Sequence, residues 1–130
     1  MYKVFIYGSL KQGFMNSIFM NDCTFLGNRN TKKPEFKMIS LGFFPGVIKS
    51  NIDKGYIMGE LYEVDDKQLS WIDMLESNGD FYQRELVETN NNESAYMYLF
   101  LHADTEIDLE DGVVKTKSNG EIYFNWTEQC

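Results

Sequence analysis

The chain has 130 residues, 43% hydrophobic and 25% charged, a composition typical of one folded domain over residues 1–130 and not of a disordered chain. The net charge of −8 argues against a nucleic-acid-binding protein, because Lys and Arg drive contacts with phosphates, and no apolar run is long enough for a membrane-spanning helix. The amino terminus has no signal-peptide pattern, so we expect a cytoplasmic protein, by default a monomer, that binds neither nucleic acid nor membrane.

Short apolar runs separated by Gly, Pro and Asn predict strands through the first half of the chain. Residues 2–7 (YKVFIY) combine β-branched and aromatic side chains and are typical of a buried strand. Residues 15–22 fit one or two helical turns. Further strands are predicted at residues 23–28, 35–40, 46–50 and, with a longer alternation, 56–64.

An α-helix is indicated directly after the strand at 56–64. Asp65 or Asp66 can cap its amino terminus, and Gln68 stands three residues after Asp65, which is the spacing of a capping box. The helix should end near residues 77–79 (Ser-Asn-Gly), because Asn and Gly favour the left-handed conformation that stops helices.

The helix carries one carboxylate among its apolar side chains. At about 100° per residue, Leu69, Ile72 and Leu75 form a stripe that includes Glu76, whereas Asp73 points the other way. Loss of hydration and the negative end of the helix dipole would both raise the pKa of Glu76, as general acid–base catalysis requires. The alternative is that Glu76 reaches solvent at a fraying helix end or pairs with Arg84.

Strand signals dominate the second half of the chain. Residues 82–89 and 94–102 flank NNNE, which predicts a hairpin with Asn at positive φ, and a last strand at 120–126 follows a polar loop. Strands outnumber helices, and the helices lie between strands without regular alternation. This pattern favours an α+β fold, a small mixed, mostly antiparallel β-barrel with one or two helices.

The residues that usually hold metals are scarce. Cys23 and Cys130 are far apart, and His102 is the only histidine. A zinc site or a Cys–His nucleophile pair therefore lacks ligands at suitable spacing. The acidic stretch DTEIDLED (104–111) is typical of a solvated loop. We expect no metal, no cofactor and no catalytic role for the thiols.

A set of ordered motifs surrounds these elements. YGSL (7–10) follows the first strand directly, with Lys11, Gly13 and Asn16 after it. Further along the chain come FPGV (44–47), GELYEVDDKQLSWIDMLE (59–76), FYQRELV (81–87) and SNGEIYFNW (118–126). Together they resemble the gamma-glutamylcyclotransferase-like superfamily, and in particular the branch of gamma-glutamylamine cyclotransferase and the avirulence-induced-gene-like proteins. Residues 103–117 show no dependable match.

The resemblance implies roles for seven residues. Glu76 corresponds to the catalytic general acid–base. Tyr82 corresponds to a pocket tyrosine and Arg84 to its partner arginine, both on the substrate-binding side. The segment that holds the gamma-glutamyl head through backbone groups corresponds to Tyr7, Gly8, Ser9 and Leu10. Without the resemblance, the loop would be an ordinary turn, Tyr82 a core residue, and Arg84 the partner of Glu85 or Asp80 on the surface.

The resemblance also implies a reaction. The alpha-amine of a small-molecule gamma-glutamyl amide attacks its own gamma-carbonyl, and the products are 5-oxoproline and a free amine, with no cofactor. Two alternatives remain open at this point. The chain could be a non-catalytic acidic binding or inhibitory module on the same fold, or it could apply the same chemistry to another gamma-glutamylated molecule.

Overall fold

The computed structural model describes residues 1–102 and 111–127. The acidic stretch at 104–111, apart from Asp111, and Cys130 lie outside the described residues. No helix in the described part of the chain is long and apolar enough to cross a membrane. The strands are β1 (Tyr2–Ile6), β2 (Thr24–Asn30), β3 (Phe36–Ser40), β4 (Pro45–Lys49), β5 (Tyr56–Val64), β6 (Tyr82–Glu88), β7 (Ser94–Phe100), β8 (Val113–Ser118) and β9 (Glu121–Trp126).

Most of these strands belong to one curled sheet. It has seven strands in the order β6-β7-β1-β5-β9-β8, with β2 on the other edge of β5, while β3 and β4 form a separate two-stranded ribbon. Neighbouring strands run antiparallel except at the β1–β7 and β5–β9 pairs, which are parallel. The predicted α+β fold with a mixed, mostly antiparallel, barrel-like sheet is confirmed.

Strand β1 explains why the sheet has apolar residues on both faces. Val4 and Ile6 belong to one buried cluster, and Phe5 and Tyr7 belong to a second one. Because successive side chains of a strand point to opposite faces, a continuous apolar run indicates burial on both sides. β1 therefore lies in the middle of the protein, and the loop that follows it begins deep in the fold.

One α-helix, α1, spans Asp66–Leu75 in the described chain, and a short 3₁₀ turn spans Ser17–Met20. The predicted capping box is confirmed: the Asp65 carboxylate accepts from the Gln68 N–H at 2.7 Å, and the Gln68 side chain accepts from the Asp65 N–H at 2.9 Å. The helix ends as predicted, but Ser77 (φ 47°) and Gly79 (φ 96°) adopt the left-handed conformation and Asn78 does not.

Two predictions about the second half differ in outcome. The hairpin is confirmed, with Asn92 at φ 61° in its turn. The prediction of a polar loop before the last strand is wrong for Val113–Ser118, because these residues form β8 and pair along their whole length with β9. Nearly every residue of β8 is exposed. An edge strand with both faces exposed to solvent lacks the alternation of apolar and polar residues by which strands are recognised in a sequence.

Candidate active site

A cavity of about 420 Å³ opens where β1 ends. Its walls come from the loop after β1, the start of β4, the end of α1 and the strands β6 and β7. The inner wall is formed by buried residues such as Tyr7, Pro45 and Tyr82, while the rim is formed by exposed apolar side chains. The size and the mixture of apolar walls with a few polar groups are typical of a small-molecule site.

The loop after β1 is held in place by bonds at both of its ends. Asn16 donates two hydrogen bonds to Ser9. Its backbone N–H donates to the Ser9 carbonyl at 2.9 Å, and its side-chain amide donates to the Ser9 hydroxyl at 3.0 Å. The buried Lys11 ammonium donates to Asn125 Oδ1 and to the Trp126 carbonyl, both at 2.9 Å. These contacts fix the loop against β9 and give it one defined conformation.

The backbone of this loop leaves donors unused. Among the described residues, the N–H groups of Gly8, Ser9 and Leu10 have no hydrogen-bond acceptor. All three residues line the cavity. Gly8 also packs so closely that a Cβ at this position would lie 3.0 Å from two ring carbons of Pro45. Successive unpaired N–H groups are a common way to bind an anionic oxygen.

Glu76 closes helix α1 as its C-cap residue and lies in the cavity wall. A small part of its side chain faces the cavity, and protein surrounds the rest. This burial raises the pKa of the carboxyl from 4.5 to about 7, since a dry environment disfavours the charged form. No donor within residues 1–102 and 111–127 hydrogen-bonds to the carboxylate. The group is therefore poised to exchange a proton near neutral pH.

Two phenol groups in the inner wall are fixed by backbone carbonyls. The Tyr82 hydroxyl donates to the Pro45 carbonyl at 2.7 Å, and the Tyr7 hydroxyl donates to the Tyr98 carbonyl at 2.6 Å. Burial raises the pKa of both phenols well above the ordinary value, and the nearby Glu76 charge adds to the effect. Both side chains therefore stay protonated and serve as rigid walls that hold Pro45 and the cavity floor in place.

A charged network lies immediately behind the cavity wall. The Arg84 guanidinium contacts Asp73 at 3.0 Å and stacks over the Tyr96 ring with its carbon 4.4 Å from the ring centre. Asp73 also accepts a 2.5 Å hydrogen bond from the hydroxyl of Tyr98, whose ring lines the cavity. Asp73 was expected to point away from the apolar stripe of the helix, but its side chain reaches partners on β6 and β7.

The turn after α1 sets the position of Glu76 from the other side. The Asn78 side chain accepts from the Arg84 N–H at 2.9 Å, and the Gly79 N–H donates to the Tyr82 carbonyl at 2.7 Å. Strand β6 therefore anchors the residues that follow Glu76. Because Asn78 and Gly79 are both bonded to β6, the helix end that carries the carboxyl is tied to the sheet.

The structure brings together six of the seven residues that were predicted for the site. The cavity is lined by Tyr7, Gly8, Ser9, Leu10, Glu76 and Tyr82. Arg84 does not line it, and its partner is Asp73, not Glu76, Glu85 or Asp80. Substrate contact by Arg84 stays a prediction, and the geometry gives Arg84 a supporting place behind the wall.

Sequence reasoning missed Asp73 and Tyr98, although each had a detectable signal. Asp73 precedes Glu76 by three residues, so the two side chains are about one helical turn apart. Tyr98 alternates with Met97 and Leu99 along β7, which places it on the same face as Phe100. The missing step was the packing of the end of α1 against the predicted β6–β7 hairpin, which cannot be read from either pattern alone.

Comparison with known proteins identifies the family. The family described as "Gamma-glutamyl cyclotransferase, AIG2-like" matches residues 4–118 of this chain. The chain belongs to this family. The gamma-glutamylcyclotransferase family protein YtfP of Escherichia coli (strain K12) is 34% identical over 98 residues, which is 75% of this chain and 81% of YtfP. Family membership supports cyclotransferase activity, and the predicted resemblance is confirmed.

Solved structures agree with the family at the level of the fold. A crystal structure of an AIG2-like protein from Mus musculus matches with a TM-score of 0.72 at 25% identity and covers 82% of each chain. The solution structure of ytfP from Escherichia coli matches with a TM-score of 0.59 at 32% identity, covering 82% of this chain and 92% of ytfP. The family match also runs through residues 103–117, where the sequence motifs gave no dependable match.

Proposed function

We propose that the chain is a gamma-glutamylamine cyclotransferase-type enzyme, which releases 5-oxoproline and a free amine from a gamma-glutamyl amide. The observation that carries the proposal is a single cavity that joins two complementary parts. One part is the Glu76 carboxyl, whose pKa is raised to about 7. The other is the row of unused N–H groups from Gly8 to Leu10.

Glu76 moves the protons in the proposed reaction. Its carboxylate takes a proton from the alpha-ammonium of the substrate, and the freed amine attacks the gamma-carbonyl carbon. Of the three ammonium protons, one stays on the lactam nitrogen and two end on the departing nitrogen, so Glu76 transfers them one after the other. Such a proton transfer accelerates reactions by about 10²–10⁴-fold. The bond to the leaving nitrogen breaks as this nitrogen is protonated, and no electron carrier is required.

The loop after β1 handles the negative charges. The substrate brings an alpha-carboxylate, and the attack creates an oxyanion at the former gamma-carbonyl. The N–H groups of Gly8, Ser9 and Leu10 can donate to these oxygens without reorganising, because Asn16 and Lys11 already hold the loop. Fixed donors at a developing oxyanion are usually worth several kcal/mol in rate, about 10²–10³-fold for one donor.

The rigid inner wall restricts the substrate to a cyclising conformation. A gamma-glutamyl chain has several rotatable bonds, and ring closure needs its amine folded back on the gamma-carbonyl. Tyr7 and Tyr82 cannot rotate away, since each phenol is bonded to a backbone carbonyl. Holding the two reacting groups together removes orientational freedom before the reaction and so lowers the barrier.

The proposal is tested by incubating the purified chain with several gamma-glutamyl amides and measuring 5-oxoproline. We expect kcat/KM to rise as the pH passes through about 7, because only ionised Glu76 accepts a proton. Glu76→Gln should reduce kcat by at least about 100-fold with the fold retained. Glu35→Gln, an exposed carboxylate outside the cavity, is the matched control. Absence of turnover across the panel would favour the binding module.

A further inference from the structure

A single polar side chain interrupts the apolar rim of the cavity. Among the described lining residues, the exposed apolar ones are Met15, Phe19, Phe43, Phe44 and Leu75. The one other exposed lining residue is Ser77, which directly follows Glu76 in the chain. Because protein surrounds most of Glu76 whereas Ser77 is exposed, the serine lies on the outer side of the carboxyl, towards the opening.

Ser77 carries the one hydroxyl of the cavity lining that has no hydrogen-bond partner in the described part of the chain. All three phenols of the lining donate to a backbone carbonyl or to a carboxylate. The Ser9 hydroxyl accepts from the side-chain amide of Asn16. Since a hydroxyl can donate one hydrogen bond and accept two, the Ser77 hydroxyl is available to a molecule in the cavity.

The backbone at Ser77 has a conformation that serine disfavours. The Ser77 N–H donates to the Met74 carbonyl at 3.2 Å, and the Asn78 N–H donates to the Asp73 carbonyl at 2.9 Å. These two bonds form a Schellman motif, in which the residue after the C-cap is left-handed and is usually glycine. Ser77 occupies this position with φ 47°. A side chain here therefore lowers the stability of the fold relative to glycine.

The proposed reaction determines which part of the substrate lies beside Ser77. The glutamyl head occupies the inner side of the cavity, at the unused N–H groups of the β1 loop. Glu76 protonates the departing nitrogen, so this nitrogen lies next to the carboxyl. The rest of the departing amine extends from there towards the opening, and the first polar side chain on that path is Ser77.

We propose that Ser77 is a specificity-determining residue, whose hydroxyl hydrogen-bonds to a polar atom of the departing amine close to its nitrogen. This inference rests on the proposed cyclotransferase function. The serine side chain lowers stability at a position that favours glycine, and its hydroxyl has no partner within residues 1–102 and 111–127. A molecule in the cavity supplies the missing partner, and the substrates that bind best carry a hydrogen-bonding group on the departing amine.

A pair of substrates with leaving groups of nearly equal size tests the inference, with 5-oxoproline release as the readout. Gamma-glutamyl-ethanolamide and gamma-glutamyl-propylamide differ only in a terminal hydroxyl that is replaced by a methyl group. We expect kcat/KM to be about threefold to tenfold higher for the ethanolamide, which is the effect of one hydrogen bond at a partly exposed site. Ser77→Ala removes only the hydroxyl of the protein and should abolish this preference.

Two further variants separate the hydroxyl from the backbone conformation. Ser77→Gly should also abolish the preference, and it should raise the melting temperature by about 2–5 °C, because glycine adopts a positive φ without strain. Ser77→Ala keeps the strain and should leave the melting temperature nearly unchanged. Ser118→Ala is the matched control, because Ser118 is exposed on β8 and does not line the cavity. The control should alter neither the preference nor the melting temperature.

The possible outcomes separate the two proposals. If the original chain cleaves both amides equally well, or if Ser77→Ala retains the full preference for the ethanolamide, the inference is overturned and the cyclotransferase function stands. A Ser77→Gly variant that is no more stable than the original chain removes the strain on which the inference depends, and so overturns it too. If neither amide yields 5-oxoproline, the proposed function is rejected, and the inference is rejected with it.

Discussion

The buried carboxyl of Glu76 leads to a prediction about stability that is independent of any substrate. Its pKa is about 7 in the folded chain, whereas a hydrated glutamate carboxyl, as in the unfolded chain, has a pKa of 4.5. The folded chain therefore holds this proton more tightly than the unfolded chain does. Between these two values the folded chain binds more protons, and stability falls as the pH rises. Glu76→Gln removes the titration, so the variant should be as stable as the original chain below pH 4.5 and more stable above pH 7.

The magnitude follows from the difference between the two pKa values. A pKa of about 7 instead of 4.5 means that ionised Glu76 lowers the free energy of unfolding by at most ~3 kcal/mol. Each tenfold change in proton affinity is worth about 1.4 kcal/mol. Part of the Glu76 side chain faces the cavity, where water can screen its charge. We therefore expect the variant to gain about 1–2 kcal/mol in the free energy of unfolding above pH 7.

Urea unfolding at a series of pH values measures this difference directly. Trp126 is fully buried and Trp71 is half exposed, so tryptophan fluorescence reports the transition in both chains. The pH series should bracket the two pKa values, and the slope m shows whether the unfolded state has changed. Glu35→Gln is again the control, because Glu35 is exposed and lies outside the cavity.

The decisive quantity is how the difference in free energy of unfolding between Glu76→Gln and the original chain changes with pH. A gain or loss of stability that is the same at every pH does not test the pKa. If Glu76→Gln and the original chain give parallel stability curves from pH 4 to pH 9, the carboxyl is not desolvated and the reasoning about its pKa fails. Destabilisation that grows with pH would be a stronger contradiction, since it would mean that the ionised form has a favourable partner in the fold.

Three other substitutions test the supporting contacts. Gly8→Ala adds a Cβ only 3.0 Å from the buried Pro45 ring, so the loop or the ring must shift and kcat/KM should fall about tenfold; unaltered kinetics would show that the close approach is unimportant. Tyr82→Phe removes the bond to the Pro45 carbonyl and should lower the urea-derived stability by about 1 kcal/mol; an equally stable variant would contradict this. Arg84→Met leaves Asp73 without its cation and should cost at most about 1 kcal/mol, less in high salt, and a loss independent of salt would refute an ionic cause.

The parts of the site that the sequence predicted are those with local causes. Burial of β1 follows from its uninterrupted apolar run, and the start of α1 follows from Asp65 and Gln68 in capping-box spacing. The position of Glu76 follows from the 3.6-residue period of the helix that carries it. The other six site residues were predicted from the family resemblance that the ordered motifs carry, and five of them line the same cavity as Glu76.

The parts that escaped prediction depend on which elements pack against each other. Arg84 lies on β6 and Asp73 on α1, and their contact needs β6, β7 and the end of α1 to be folded together. Periodicity gives the face of an element but not the element that covers this face. Strand β8 was missed for a related reason, because its pairing with β9 is made by backbone groups and leaves almost no trace in its exposed side chains.

The properties of Glu76 place stability and proposed activity in opposition. The proton acceptor is the ionised form, and this is the form that the dry cavity wall destabilises. A carboxyl in bulk water would be ionised at neutral pH without a cost, but its low pKa would make it a weak base. The fold therefore has to supply stability elsewhere, and the bonds that anchor the turn after Glu76 to β6 are well placed to do so. Without that anchoring, the helix end would fray, the carboxyl would reach water, and its pKa would return towards 4.5.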